Sequence, residues 1–119
     1  MWISAHRAEI SDAHAISTLR ALEGSGLRGG HEARRLRMLA EALLRLERDE
    51  ESLETLEALQ RIVPHDAWTL LRLAETCAKR GDTLEAGLAW CEDLRRLHPW
   101  LSQAKEIEAR IRQRLAQLN

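Results

Sequence analysis

At 119 residues and a formal net charge of −1, the chain is long enough for one domain with a modest core. That charge balance gives no support for a surface of one sign built for nucleic acid or an anionic membrane, and neither partner is expected. No apolar run approaches the ~18–20 residues of a membrane helix, and His6, Arg7 and Glu9 interrupt any secretory signal, so a cytoplasmic protein is expected.

The core has to be built without Phe or Tyr, from Leu, Ala, Ile and four Trp, and the Ala/Leu/Glu/Arg-rich composition with two Pro predicts an all-α fold. Residues 2–23 carry a helical stripe of Ile10, Ala13, Ile16, Leu19 and Leu22, starting at Ser4 or, if short, at Ser11 or Asp12. Gly24-Ser25-Gly26 and Gly29-Gly30 then mark a loop and a boundary. A second helix is predicted over 31–47 on Leu36, Leu39, Ala40 and Leu43, and a third over 49–63 on Ser52 and Leu56. Pro64-His65-Asp66 ends one unit and opens the next, with Asp66 as cap.

The fourth helix, over 67–80, buries Leu70, Leu73, Ala74 and Cys77; the fifth, over 83–97, buries Ala86, Trp90, Leu94 and Leu97. Between them Gly81 is expected to end one helix in the left-handed region and Asp82 to cap the next, with Glu85 three residues on. After Pro99 a last helix lines up Ala104, Ile107, Ile111, Leu115 and Leu118 against the Trp90 side. Its solvent face is expected to carry Lys105, Glu106, Arg110, Arg112 and Arg114. Cys77 and Cys91 read as small, reduced core residues.

Moving back 34 positions returns the same pattern: Leu36, Leu39, Ala40 and Leu43 stand for Leu70, Leu73, Ala74 and Cys77, Ser52 and Leu56 for Ala86 and Trp90, and His31 for His65. In this period and in Pro64, residues 31–98 resemble the tetratricopeptide repeat family. Leu36 and Leu70 replace that family's tryptophan, Leu43 and Cys77 its tyrosine, and Ser52 its second-helix alanine. The resemblance implies antiparallel helical hairpins stacked as a short right-handed solenoid of about six helices. Its segments are an N-terminal helix and loop (1–30), repeats over 31–64 and 65–98, and a capping helix over 99–119.

By the same resemblance the first helix of each repeat lines a concave groove. Its inward residues are Arg34, Arg37, Glu41 and Arg45 in one repeat and Trp68, Leu71, Glu75 and Lys79 in the next, with Lys105 and Arg112 added by the last helix. Glu41 and Glu75 stand where the carboxylate-clamp members carry asparagine. Gly24-Ser25-Gly26 and His31-Glu32-Ala33 further resemble features of small tetratricopeptide-like bacterial type III secretion chaperones.

Nothing in the sequence points to catalysis: G-x-S-x-G, a phosphate-binding glycine loop, H-E-x-x-H and a dinucleotide fingerprint are all missing. Five histidines include no H-x-x-x-H pair, and the two cysteines form no C-x-x-C, so neither metal nor cofactor is expected. The expectation is a non-enzymatic adaptor or chaperone taking a protein or peptide partner, such as an acidic amphipathic segment. The alternative is a self-associating helical subunit, a homo-oligomer.

Overall fold

A computed structural model describes residues 2–23, 26 and 30–118, with only the backbone of residues 2–8. Among the described residues the chain is all-α, in six helices: α1 (Trp2–Ala21), α2 (Gly30–Arg45), α3 (Asp49–Ile62), α4 (Ala67–Ala78), α5 (Leu84–Leu97) and α6 (Gln103–Leu118). None of them is long and apolar enough to cross a membrane. The chain divides into two compact units, Met1–Ile62 and Val63–Asn119. Most of the glycine loop lies outside the described residues; within it Gly26 has φ 89°.

In the first unit α2 packs against both α1 and α3. Helix α1 begins at Trp2, so neither Ser4 nor Ser11 marks its start. Its buried face is Asp12, Ile16 and Leu19, with Ala15 half-buried. Ile10, Ala13 and Leu22 of the expected stripe are exposed. The face is rotated because Asp12 is turned inward, where it meets Arg45 of α2. Ile16 and Leu19 pack on Leu39, Ala42 and Leu43.

The turn from α2 to α3 is closed by Glu47 N–H to the Leu44 carbonyl at 3.1 Å and Arg48 N–H to the Leu43 carbonyl at 3.0 Å. This Schellman pattern needs a left-handed residue at its corner, and Glu47 supplies it at φ 55°. At the corresponding place in the second unit Gly81 does not adopt positive φ. There α4 ends in tighter i→i+3 bonds, Lys79 N–H to Thr76 O and Arg80 N–H to Cys77 O. The N-cap of α5 is Thr83, whose hydroxyl donates to the Cys77 carbonyl at 2.9 Å, while Asp82 pairs with Arg80. Asp82 therefore spans the turn instead of capping α5. Asp66 does cap α4, accepting from both the backbone N–H (3.0 Å) and the hydroxyl (2.7 Å) of Thr69.

Helices α2 and α4 bury residues that correspond at an interval of 34. Arg35, Leu36, Leu39, Ala40, Ala42 and Leu43 are buried in α2; their counterparts one repeat on, Thr69, Leu70, Leu73, Ala74, Thr76 and Cys77, are buried in α4. The second helices differ. Helix α3 buries Ser52, Leu53, Thr55, Leu56 and Leu59, whereas α5 buries Leu84, Gly87, Cys91 and Leu94 and leaves Ala86 exposed. Asp93 stands where α3 has Leu59, so α5 turns by one residue to place Leu94 inside.

In the second unit α6 packs against both α5 and α4. Ala104, Ile107 and Ile111 are buried, Leu115 is half-buried and Leu118 is exposed. Trp90 packs beside Ile107 and Ile111 and beside Ala104. The close approach belongs to Gly87: a Cβ there would lie 2.8 Å from Ile111 Cδ1 and 3.0 Å from Cys77 Cβ. Arg114 leaves the expected solvent face and donates from its guanidinium to the Ala78 carbonyl at the end of α4.

Candidate functional site

On α2, Arg34 and Arg37 are exposed, and Arg37 Nε donates to Glu41 Oε1 one turn on at 3.1 Å. Arg45 has a structural task. Its Nε and guanidinium NH2 grip the Asp12 carboxylate at 2.8–3.0 Å, tying α2 to α1, and that hydrogen bond raises the arginine's pKa. Arg35 is buried, donating to Glu32 at 2.7 Å and to the Leu19 carbonyl in the last turn of α1 at 3.1 Å. A third ionic knot joins Arg20 of α1 and Arg48 to Glu51 of α3; both hydrogen bonds hold the Glu51 carboxyl below its usual range.

On α4, Trp68 is half-buried and Arg72 lies over its ring, 5.7 Å from the centroid. Arg72 in turn donates to Glu75 at 2.7 Å, which fixes the guanidinium above the indole. Lys79 is exposed one turn beyond Glu75. Leu71 is half-buried and packs into the α4–α5–α6 core, so it serves the interior more than the surface.

Lys105 lies elsewhere, on the wall of a groove of about 880 Å³ between α5 and α6. Leu88, Ala89, Pro99 and Leu101 supply its apolar lining, and charges from both helices rim it. Glu108 is the ionic centre of this groove. Arg95 of α5 reaches it at 2.7 Å and Arg112 at 3.0 Å, and these hydrogen bonds, Arg112's first, lower its pKa against the effect of burial. Beneath, Cys91 is buried, and desolvation pushes its thiol up to about 11.

Between the lining residues Pro99 and Leu101, Trp100 is the most exposed of the large apolar side chains among the described residues, at 72%. It meets His98 edge-to-face with ring centroids 5.1 Å apart. His98 Nε2 donates to the His65 carbonyl at 2.6 Å, so it fastens the end of α5 to the start of α4. Among the described residues no three His, Cys, Asp or Glu side chains gather as a metal site.

No family model, curated protein or solved structure matches this chain. The functional reading therefore rests on the surfaces themselves. Trp68 and Glu75 share one stabilised patch with Arg72, and Arg34, Arg37 and Glu41 lie on the exposed side of α2. Arg72, Trp100 and the α5 wall of the groove did not figure in the expected surface. A signal for the groove was present: Ala104, Ile107 and Ile111 stand 34 positions after Leu70, Leu73 and Cys77, the same interval that separates α4 from α2.

Proposed function

We propose that the chain is a non-enzymatic, tetratricopeptide-like interaction module, an adaptor or chaperone that binds a protein segment. The observation carrying this reading is the repeated burial pattern. Six equivalent positions face inward in α2 and α4, and three of them recur in α6, so each copy offers an outward helix face with its own chemistry. On α4 that face presents an indole held under a guanidinium, a pairing of residue types enriched at binding hot spots. On α2 it presents Arg34 and the Arg37–Glu41 pair, which favours acidic segments.

The test is binding kinetics with products of neighbouring genes, where adaptors and chaperones often find their clients. Trp68→Ala is expected to speed dissociation and cost about 2 kcal/mol. Arg34→Glu with Arg37→Glu is expected to slow association, most strongly at low salt. Circular dichroism checks that each variant is folded. Full binding by a folded triple variant refutes the assignment of these faces. A self-associating subunit is the second reading, favoured by exposed Ile10 and Met38; light scattering of the purified chain separates it from a monomer that awaits a client.

A further inference from the structure

Helix α1 is held in the way a ligand is held. Among the described residues it packs against α2 alone, with one ion pair from Arg20 reaching Glu51 of α3. Helix α5, by contrast, is packed from both sides, by α4 and by α6. Of the described side chains of α1 only Asp12, Ile16 and Leu19 are buried, and the far side is exposed from Ile10 to Leu22. Withdrawing α1 would therefore uncover one apolar face, on α2.

That face has a floor and two ends. Leu39, Ala42 and Leu43 form the floor under Ile16 and Leu19. At one end Arg45 grips the Asp12 carboxylate at 2.8–3.0 Å. At the other Arg35, buried and fixed by Glu32 at 2.7 Å, donates to the Leu19 carbonyl at 3.1 Å. Carbonyls in the last turn of a helix are left for outside donors and carry the negative end of its dipole. A guanidinium fixed there suits any helix that ends at that point. The full requirement on the occupant is an acid, aliphatics four and seven positions on, and a last-turn carbonyl at the second aliphatic, all on one helix face. Residues 22–29, between α1 and α2, are the longest interval between helices and span about 26 Å when extended, so α1 can leave without unwinding α2.

Resting on the interaction-module reading for the existence of a client, we infer that this face of α2 docks an amphipathic helix of a partner protein. The partner helix carries an acidic residue followed by aliphatics four and seven positions on. Helix α1 is the internal occupant of the face and withdraws when the partner binds.

The probe is a fluorescently labelled synthetic peptide of residues 2–23, added to the full chain. The parent is expected to bind it weakly, because its own α1 competes as a tethered ligand. Ile16→Ala loosens that α1 and is expected to tighten peptide binding about tenfold or more, since a larger share of chains then has the face open. Arg45→Asp also loosens α1 but repels the peptide's Asp12. It is expected to prefer, by about tenfold, a peptide with Asp12→Arg, the reverse of the Ile16→Ala chain. Circular dichroism is expected to show, in either variant, no loss of helix beyond that of α1.

Equal binding by the parent and Ile16→Ala, binding by neither, or the same peptide preference in both variants overturns the inference. Unfolding beyond α1 in the Ile16→Ala chain does so too, because α1 is then a fixed wall of its unit. So does a parent dimer that takes up no peptide, since a second copy's α1 then fills the face. A natural partner lost with Trp68→Ala but kept by Arg45→Asp overturns the α2 assignment while sustaining the module reading.

Discussion

Gly87→Ala offers a direct test of how closely α4, α5 and α6 approach. In an unconstrained helix interior this substitution stabilises by about 1 kcal/mol, because alanine loses less backbone freedom on folding. Here the new methyl would meet Ile111 Cδ1 at 2.8 Å and Cys77 Cβ at 3.0 Å. Ile111 has 0% and Cys77 2% of its surface exposed, so neither has free space to retreat into. Overpacking of this kind costs about 1–3 kcal/mol, and with two rigid neighbours the upper end applies. The net expectation is a loss of about 1–2 kcal/mol, or roughly 8–16 °C in melting temperature for a unit of this size. Trp68, Trp90 and Trp100 all belong to the second unit, so urea unfolding followed by tryptophan fluorescence reports on it. Ile111→Val removes the clashing Cδ1 and costs about 0.5–1.5 kcal/mol alone. Combined with Gly87→Ala it should recover at least about 0.5 kcal/mol of coupling. Gly30→Ala, where a Cβ would find open space, is the comparison. A Gly87→Ala protein as stable as the parent, or strict additivity with Ile111→Val, would refute the argument.

Acid should weaken both units through their buttressed glutamates. The pKa values of Glu51 and Glu108 are lowered in the folded chain, chiefly by hydrogen bonds from Arg48 and Arg112. Their stabilisation is therefore fully present above the unfolded glutamate value of ~4.3 and is lost as pH falls through the depressed folded values. Stability measured from pH 6 to about 3 should fall less steeply in Glu108→Gln than in the parent; identical slopes would show that Glu108 is not linked. Cys91, buried and with its pKa raised to about 11, should resist thiol reagents at pH 8 until the chain unfolds. Rapid labelling of Cys91 in the native protein would contradict its burial.

The sequence was most legible where apolar residues recur at helical spacing on a helix packed from more than one direction. Leu36, Leu39, Ala40 and Leu43, and their counterparts in the second repeat, are all buried as their spacing predicts. It was less legible where a polar residue decides the facing. Asp12 turns α1 inward because its partner Arg45 lies on the next helix, and no local pattern announces that pair. The same pairing gives Arg45 a role in helix packing that its expected place on the groove-lining stripe did not suggest. On α5, Asp93 in place of a leucine shifts the buried face onto Leu94, and only the neighbouring helices reveal that Gly87, at the position of the buried Leu53, matters for its lack of volume. Turn chemistry misled for a related reason: Gly81-Asp82 has the composition of a stop and a cap, but the Thr83 hydroxyl satisfies the carbonyl first.

Glu47 and Gly81 hold equivalent corners, and each has the residue that would suit the other. Glu47 sits at φ 55°, where an L side chain is strained by about 1 kcal/mol, while Gly81 carries the unfolded-state entropy of glycine without using positive φ. Selection that only keeps a protein above a stability threshold leaves such mismatches in place. Both positions are exposed and neither belongs to the apolar cluster between α1 and α2. Exchanging them in a parental background would raise the margin against unfolding without touching that cluster, so that costly changes at Trp68, Ile16 or Arg45 could be judged by binding alone.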